Sequence, residues 1–215
     1  MNLLPIYSVP LWQTQYAQLE EHKEDFLKEV KKYKEENPST EINTSSVYGY
    51  QSPDTLQKVE GLRPLFEFIC TMAAKALTDL EFNDHAIVLT SAWLSVNDTP
   101  QCMNCEQVNH GVLSGVFYLK APQGSGKLVI KNPGINRLWG GCHIASQKNQ
   151  FTGESIRFEP IEGNLLIFPS YISQFVEPND HDEERISISF NIGVVPRDEV
   201  ESVNERAFTL RDEVA

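Results

Sequence analysis

Long hydrophobic runs are missing from this chain, and so is any excess of basic residues. Its 215 residues include 18 Lys and Arg against 30 Asp and Glu, which gives a formal net charge of -12. Phosphate backbones and anionic lipid surfaces are bound by clustered cations, so this balance argues against both as partners. The richest basic run, residues 28–34, is flanked by acids on a predicted helix, and we interpret it as a solvated face.

Targeting signals and cysteines are scarce as well. No apolar segment approaches the roughly 20 residues that cross a bilayer, and the first residues lack the basic-then-apolar order of a signal peptide. We therefore expect a cytosolic protein, or one assembled from the cytosol. The chain has four cysteines, and without an export signal they do not imply disulfides.

A zinc site is the alternative reading of the cysteines. Cys102, Cys105, Cys142 and His143 are the residue types that hold structural zinc. However, an adjacent Cys-His pair rarely turns both side chains toward one ion. Free thiols are the simpler expectation.

Apolar periodicity predicts two helices in the first part of the chain. Over residues 14–36 apolar side chains recur at intervals of three, four and seven, and Asn37-Pro38 is placed to end that helix. A second amphipathic stripe covers residues 62–81. Residues 39–53 are rich in Ser, Thr and Asn and are predicted to form a loop.

After residue 83 the pattern changes to short strands separated by turns. Strand-like runs cover residues 86–97, 112–120, 126–131, 155–159, 163–168, 172–177 and 185–195, with turn signals such as Gly124-Ser125-Gly126 between them. Helices followed by many antiparallel-type strands predict an α+β fold, a double-stranded β-helix (jelly roll) braced by two helices.

We expect a single domain over residues 1–215. Residues 1–83 would form the helical support, residues 84–195 the jelly-roll core and residues 196–215 a tail. The apolar segment Phe208-Thr209-Leu210 in that tail favours contact with a partner surface.

Two strand segments carry a recognisable signature. One reads Leu113-Ser114-Gly115-Val116-Phe117-Tyr118-Leu119, and the other begins at Phe168-Pro169-Ser170 and continues, after Gln174, in Arg185-Ile186-Ser187. Over residues 88–195 the chain resembles the 2-oxoglutarate/Fe(II)-dependent oxygenase superfamily, in particular a branch common in marine bacteria and their phages. The resemblance again implies a double-stranded β-helix.

The polar face of the last strand is the cosubstrate grip in that family. Period-two alternation puts Arg185, Ser187, Ser189 and Asn191 on one side of the strand. The alternation alone fits a solvent-exposed polar side equally well, whereas the resemblance implies that this side points into the barrel. An Arg fork beside a hydroxyl suits a carboxylate. Arg185, Ser187 and Tyr118 are therefore expected to form a vestigial 2-oxoglutarate grip.

The same resemblance predicts that the metal site is degenerate. Relatives carry a His-x-His or His-x-Asp pair ahead of the first signature and a further His inside the second. Counting back from Ser114 without a gap gives Glu106 and Val108, and the later position is Gln174. Fe(II) in such a site needs two His and a carboxylate with open positions, so we expect no catalytic residue and no bound cofactor.

The sequence is compatible with three functions. The first is a non-catalytic relative, a scaffold or protein-binding module whose partners are other protein chains, a homo-oligomer or the virion proteins of a phage. It would lie in the cytoplasm or in a virion assembled there, and would bind neither nucleic acid nor membranes. The second is an active hydroxylase using Fe(II) and 2-oxoglutarate, with Glu106, His110 and His143 as a rearranged ligand set. The third is a sensor that binds a dicarboxylate without chemistry.

Overall fold

A computed structural model describes residues 8–38, 46–47, 49–82, 85–98, 103–109, 111–134, 153–179, 183–196 and 208–209. For residues 46–47, 103, 105–106 and 208–209 it describes the backbone alone. The described helices are α1 (Leu19–Glu36) and α2 (Arg63–Asp79), with short 3-10 turns at Leu56–Lys58 and Glu60–Leu62. The described strands are β1 (Trp12–Gln15), β2 (Ser46–Val47), β3 (Tyr50–Gln51), β4 (His85–Asn97), β5 (Met103–Gln107), β6 (Leu113–Lys120), β7 (Leu128–Lys131), β8 (Ser155–Phe158), β9 (Asn164–Pro169), β10 (Gln174–Val176), β11 (Arg185–Pro196) and β12 (Phe208–Thr209).

These strands form two antiparallel sheets. The larger sheet has the order β1-β9-β6-β11-β4-β12, with β3 also pairing with β4, and the smaller has the order β2-β5-β10-β7-β8. Sequence neighbours are mostly not sheet neighbours, since the chain crosses repeatedly between the sheets, as it does in a jelly roll. The predicted α+β fold class is confirmed.

Two apolar clusters hold the layers together. The larger cluster packs α1 and α2 on one face of the larger sheet and includes the fully buried Phe26, Phe66 and Phe190. The smaller cluster lies between the sheets, where Val116 and Leu166 belong to the same core as Leu128 of the smaller sheet. The interior of the barrel is therefore the space between the two sheets.

The observed elements depart from the sequence predictions in a few places. Residues 12–15 form β1 against β9, whereas the apolar periodicity predicted that the first helix begins at residue 14. The helix α1 begins at Leu19. The predicted loop over residues 39–53 contains the two-residue strands β2 and β3, which are too short to show a period. In the tail, the backbone of Phe208–Thr209 pairs with β4 of the same chain, where a partner surface was expected. None of the helices within the described ranges is long and apolar enough to cross a bilayer.

Cys70 is a free, fully buried thiol in the middle of α2. Burial, and to a smaller extent the negative charge of Glu67, raises the pKa of this thiol from 9.0 to about 12. Burial likewise raises the pKa of Tyr50 and of Tyr118 to about 12. The side chains of the other three cysteines, and with them the possible zinc site, lie outside the described residues.

These raised pKa values predict a loss of stability at alkaline pH. Above pH 9 the unfolded chain releases the Cys70 proton while the folded chain keeps it, so the free energy of unfolding falls as pH rises toward 12. One group with an unfolded pKa near 9 contributes a loss of about 1.4 kcal/mol between pH 8 and pH 10. Urea unfolding of the wild type and of Cys70→Ala at both pH values measures this loss. An equal pH dependence in the two proteins would contradict the assignment to Cys70.

Candidate functional site

A small pocket lies between the two sheets, where β11 faces β5 and β10. Its volume is about 30 Å³, and an ordered water needs roughly 10–15 Å³ of such space. The polar side chains around it are mostly uncharged amides and hydroxyls: Ser95, Asn104, Gln107, Gln174, Ser187 and Ser189. The pocket therefore has room for one or two water molecules.

The alternation of β11 decides which of its side chains enter this pocket. Arg185, Ser187 and Ser189 line the pocket, whereas Ile186, Ile188 and Phe190 belong to the cluster under the helices. The structure thus places the polar face of β11 inside the barrel, where the family resemblance implied that it would lie.

Arg185 is the largest fully buried side chain, and it is held at both ends of its guanidinium group. Its Nη1 donates to the carbonyl oxygen of Gly126 at 2.7 Å, and its Nη2 donates to Oδ1 of Asn97 at 2.7 Å. The amide of Asn179 completes a closed network, since its Nδ2 donates to the Asn97 carbonyl and its Oδ1 accepts from Gly126 N–H. We call these four residues the Arg185 network. It fastens the start of β11 to the end of β4 and to two loops.

Tyr118 and Ser187 stand next to Arg185 along the same interior face. They are Cα partners on β6 and β11, and both line the pocket. Burial raises the pKa of Tyr118, and the nearby positive charge of Arg185 offsets part of that rise. The three residues predicted as a cosubstrate grip are therefore together, although both Nη atoms of Arg185 already donate to oxygens of the protein.

The predicted ligand positions are distributed differently. Gln174 is buried and lines the pocket. Its Cα partner on β5 is Gln107, which lines the pocket as well. The side chain of Val108 is 55% exposed, so the structure places it outside the pocket. Of Glu106 only the backbone is described, and His110 and His143 lie outside the described residues.

Counting back from Ser114 gave Glu106 and Val108 as the ligand positions, whereas the structure places Gln107 at the pocket. A bulge between β5 and β10 explains the difference. Gln174 pairs with Gln107, yet Val176, two residues later, pairs with Asn104, three residues earlier. One extra residue on a strand reverses which side chains face inward. The amide pattern Gln107-Val108-Asn109 was the local signal that could have pointed to this register.

The described part of the pocket does not fit an Fe(II) site. No group of three or more His, Cys, Asp or Glu side chains comes together among the residues that the structure describes. The pocket instead offers Gln107, Gln174 and Asn104, whose neutral amide oxygens are poor replacements for two imidazoles and a carboxylate. No catalytic step through a metal follows from this arrangement.

A larger groove of about 1090 Å³ lies between α1 and the helix-facing side of the larger sheet. Its floor is apolar, with Val30, Leu94 and Val96 among the lining residues. Ion pairs such as Lys120–Glu184 at 3.1 Å neutralise charges on its rim. The groove brings together none of the motif residues, so the candidate site is the small pocket.

The fold and the interior pocket define a class of protein, a double-stranded β-helix with a polar centre. A sequence model of the family described as "Putative 2OG-Fe(II) oxygenase" matches residues 91–191. No curated protein matches the sequence. The match covers all of β6, residues 91–97 of β4 and residues 185–191 of β11, and these segments carry the interior polar face.

Solved structures of similar shape belong to the same class. A prolyl-4-hydroxylase of Pseudomonas putida superposes with a TM-score of 0.58 at 12% identity, covering 86% of this chain and 93% of that one. The non-heme alpha ketoglutarate dependent carbocyclase SnoK from nogalamycin biosynthesis gives 0.62 at 13%, covering 90% and 84%. A Trichoplax adhaerens prolyl hydroxylase gives 0.56 at 11%, covering 91% and 87%. The chain therefore shares the fold of these structures, and its residues 91–191 are similar to the 2-oxoglutarate/Fe(II)-dependent oxygenase superfamily.

Proposed function

We propose that this chain is a non-catalytic member of the superfamily, which uses the jelly roll as a scaffold or protein-binding module. The observation that carries this proposal is the composition of the interior pocket. Its described lining residues include neither His nor a carboxylate. Oxygenase chemistry of this kind needs two His and one carboxylate that bind Fe(II) and leave some of its coordination positions open. The amides of Gln and Asn do not replace these ligands.

The size of the pocket supports the same conclusion. A volume of about 30 Å³ is far below the roughly 300–1,000 Å³ typical of ligand pockets. A dicarboxylate such as 2-oxoglutarate would have to displace pocket side chains, and it would also compete with Gly126 and Asn97 for the Arg185 guanidinium. The arrangement therefore argues against the dicarboxylate sensor as well as against the active hydroxylase.

Exposed apolar side chains near the pocket end support a role in protein binding. Tyr171 is 61% exposed and Val108 is 55% exposed. The hydrogen bond from Asn109 N–H to the Ser170 carbonyl, at 3.2 Å, joins the residues next to them, so the two side chains are carried by adjacent backbone segments. Tyr is enriched at protein interfaces because its ring is apolar and its hydroxyl polar. We propose a protein partner at this surface, the virion proteins of a phage being one candidate.

The first test is metal content together with turnover. Protein reconstituted anaerobically with Fe(II) and 2-oxoglutarate and then desalted is expected to retain no stoichiometric iron by inductively coupled plasma mass spectrometry. It is also expected to release no succinate in the presence of oxygen. Stoichiometric iron with Fe(II)-dependent succinate release would overturn the proposal and would support the ligand set Glu106, His110 and His143.

The partner half of the proposal is tested by co-purification. Wild-type protein is expected to recover a defined partner, or a second copy of itself, from its native source, and mass spectrometry of purified phage particles examines the virion candidate directly. The variant Tyr171→Ser/Val108→Ser should lose that partner while remaining folded. A matched control is Ile156→Ser, since Ile156 is 54% exposed on the edge strand β8. A monomer without partners from every source would end the scaffold proposal.

A further inference from the structure

Two glutamines line the interior pocket from opposed positions on neighbouring strands. Gln107 and Gln174 are Cα partners on the antiparallel strands β5 and β10, and both side chains line the pocket. Directly opposed residues on such strands have Cβ atoms about 4.5–5.5 Å apart. Two amide groups of this length therefore reach a common point, and neither carries a charge.

The same pocket contains polar atoms that the described protein does not satisfy. Oγ of Ser95 and Oδ1 of Asn104 are buried without a hydrogen-bond partner, and both residues line the pocket. A buried polar group without a hydrogen-bond partner destabilises the folded state. A space of about 30 Å³ with several polar neighbours meets the requirements of an ordered water, which would satisfy these atoms.

The spacing of these amides follows the family's ligand pattern after a shift of one residue. Gln107-Val108-Asn109 has an amide at each outer position of His-x-Asp, and Gln174 stands where the later His is expected. Of Gln107 and Asn109, only Gln107 belongs to β5 and lines the pocket. Gln and Asn approximate the reach of His and Asp but are uncharged, so the site keeps its polarity without the ligands that a divalent ion requires.

We propose that the pocket holds ordered water on the uncharged amides of Gln107, Gln174 and Asn104 in place of a metal ion. In this arrangement the side chain of Gln107 enters the pocket and that of Val108, which is 55% exposed, does not. The inference deepens the proposed function and rests on it, because an active Fe(II) site would need metal ligands in the pocket to which we assign water.

The test converts the facing pair into a metal chelate. In Gln107→His/Gln174→His, two imidazoles on opposed positions can bind one ion, as metal–nitrogen bonds of about 2.0–2.1 Å require the rings to converge. We expect this variant to bind Ni(II) with a dissociation constant at least 100-fold below that of the wild type, measured by isothermal titration calorimetry on tag-free protein. Val108→His/Gln174→His is the matched control and should bind no better than a single Gln174→His.

The possible outcomes separate cleanly. Tight binding by the control, or binding by the control alone, would show that Val108 faces inward and would overturn the inference. Stoichiometric Ni(II) binding by the wild type would overturn the inference that water occupies the pocket in place of a metal ion. If succinate release were still absent, the proposed non-catalytic function would survive that result.

A second pair of variants covers the case in which the double histidine variant does not fold. Gln107→Lys brings a charge into the pocket that Arg185 also lines, whereas Val108→Lys adds one at an exposed position. Urea unfolding should therefore show a lower midpoint for Gln107→Lys than for Val108→Lys. The opposite order would contradict the inward facing of Gln107.

Discussion

Gly126→Ala is expected to destabilise the protein by about 3 kcal/mol or more, because the new methyl group has no space. A Cβ at this position would overlap the carbonyl group of Glu177 and lie 2.9 Å from the carbonyl oxygen of Pro178. Both obstacles are backbone atoms, which cannot rotate away as a side chain can. The turn at residues 124–126 would have to move away from the segment that follows β10.

That movement would also break the Arg185 network. The Gly126 carbonyl accepts from Arg185 at 2.7 Å, and the Gly126 N–H donates to Asn179 at 3.1 Å. Separating the turn leaves these buried groups without partners, and each unsatisfied group costs about 1–3 kcal/mol. The overlap and the lost hydrogen bonds act in the same direction, so the effect exceeds that of an ordinary glycine substitution.

Gly61→Ala provides the matched control. The three atoms nearest to a Cβ at Gly61 all belong to the side chain of Glu29, which is flexible and can move. Its effect should remain within about 0.5 kcal/mol. Urea unfolding of both variants against the wild type measures the difference. If Gly126→Ala shifted the midpoint no more than Gly61→Ala, the close approach of the turn to Glu177 would not exist in solution.

Most of the fold could be predicted because the apolar side chains of most helices and strands recur with the period of that element. The alternation of β11 and the apolar runs of β6 and β9 gave strand boundaries within two residues of those observed. β5 escaped prediction, since Met103–Gln107 contains neither β-branched nor aromatic residues. It is a strand because β10 and β2 pair with it, and such a tertiary cause leaves no local pattern.

The candidate site was less accessible to sequence reasoning for the same reason. The positions of Arg185, Ser187 and Gln174 followed from motifs on single strands. The inward position of Gln107 depends on a bulge between two strands that are far apart in sequence. The Arg185 network likewise joins Arg185 to Asn97, 88 residues away, and no spacing rule connects them.

The interior of this barrel therefore combines two kinds of polar group. At one end both Nη atoms of Arg185 donate to protein oxygens, and beside it Gln107 and Gln174 are uncharged amides that line a small space. In an enzyme of this class the first would hold a carboxylate and the second a metal. In this chain the hydrogen bonds of Arg185 fasten the start of β11 to Asn97 and Gly126, as the proposed scaffold would require.

Arg185→Met is expected to destabilise the folded protein by about 3 kcal/mol, since it leaves the Gly126 carbonyl and Asn97 Oδ1 without their donor. Met fills a similar volume, so the loss reports the hydrogen bonds more than a cavity. Arg157→Met is the control. Arg157 pairs with Glu177 at 2.8 Å but its side chain is 55% exposed, and exposed pairs contribute only about 0–1 kcal/mol.

The result separates a structural arginine from a ligand-binding one. A cosubstrate grip is a charge that the free protein keeps buried for its ligand, so its removal would leave stability unchanged or raised and would abolish binding of 2-oxoglutarate. A structural crosslink gives the reverse: Arg185→Met unfolds at lower urea, and calorimetric titration of the wild type with 2-oxoglutarate shows no heat. If the wild type bound 2-oxoglutarate and Arg185→Met were as stable as Arg157→Met, the pocket would be a ligand site and the hydrogen bonds to Gly126 and Asn97 would be those of its closed, unliganded state.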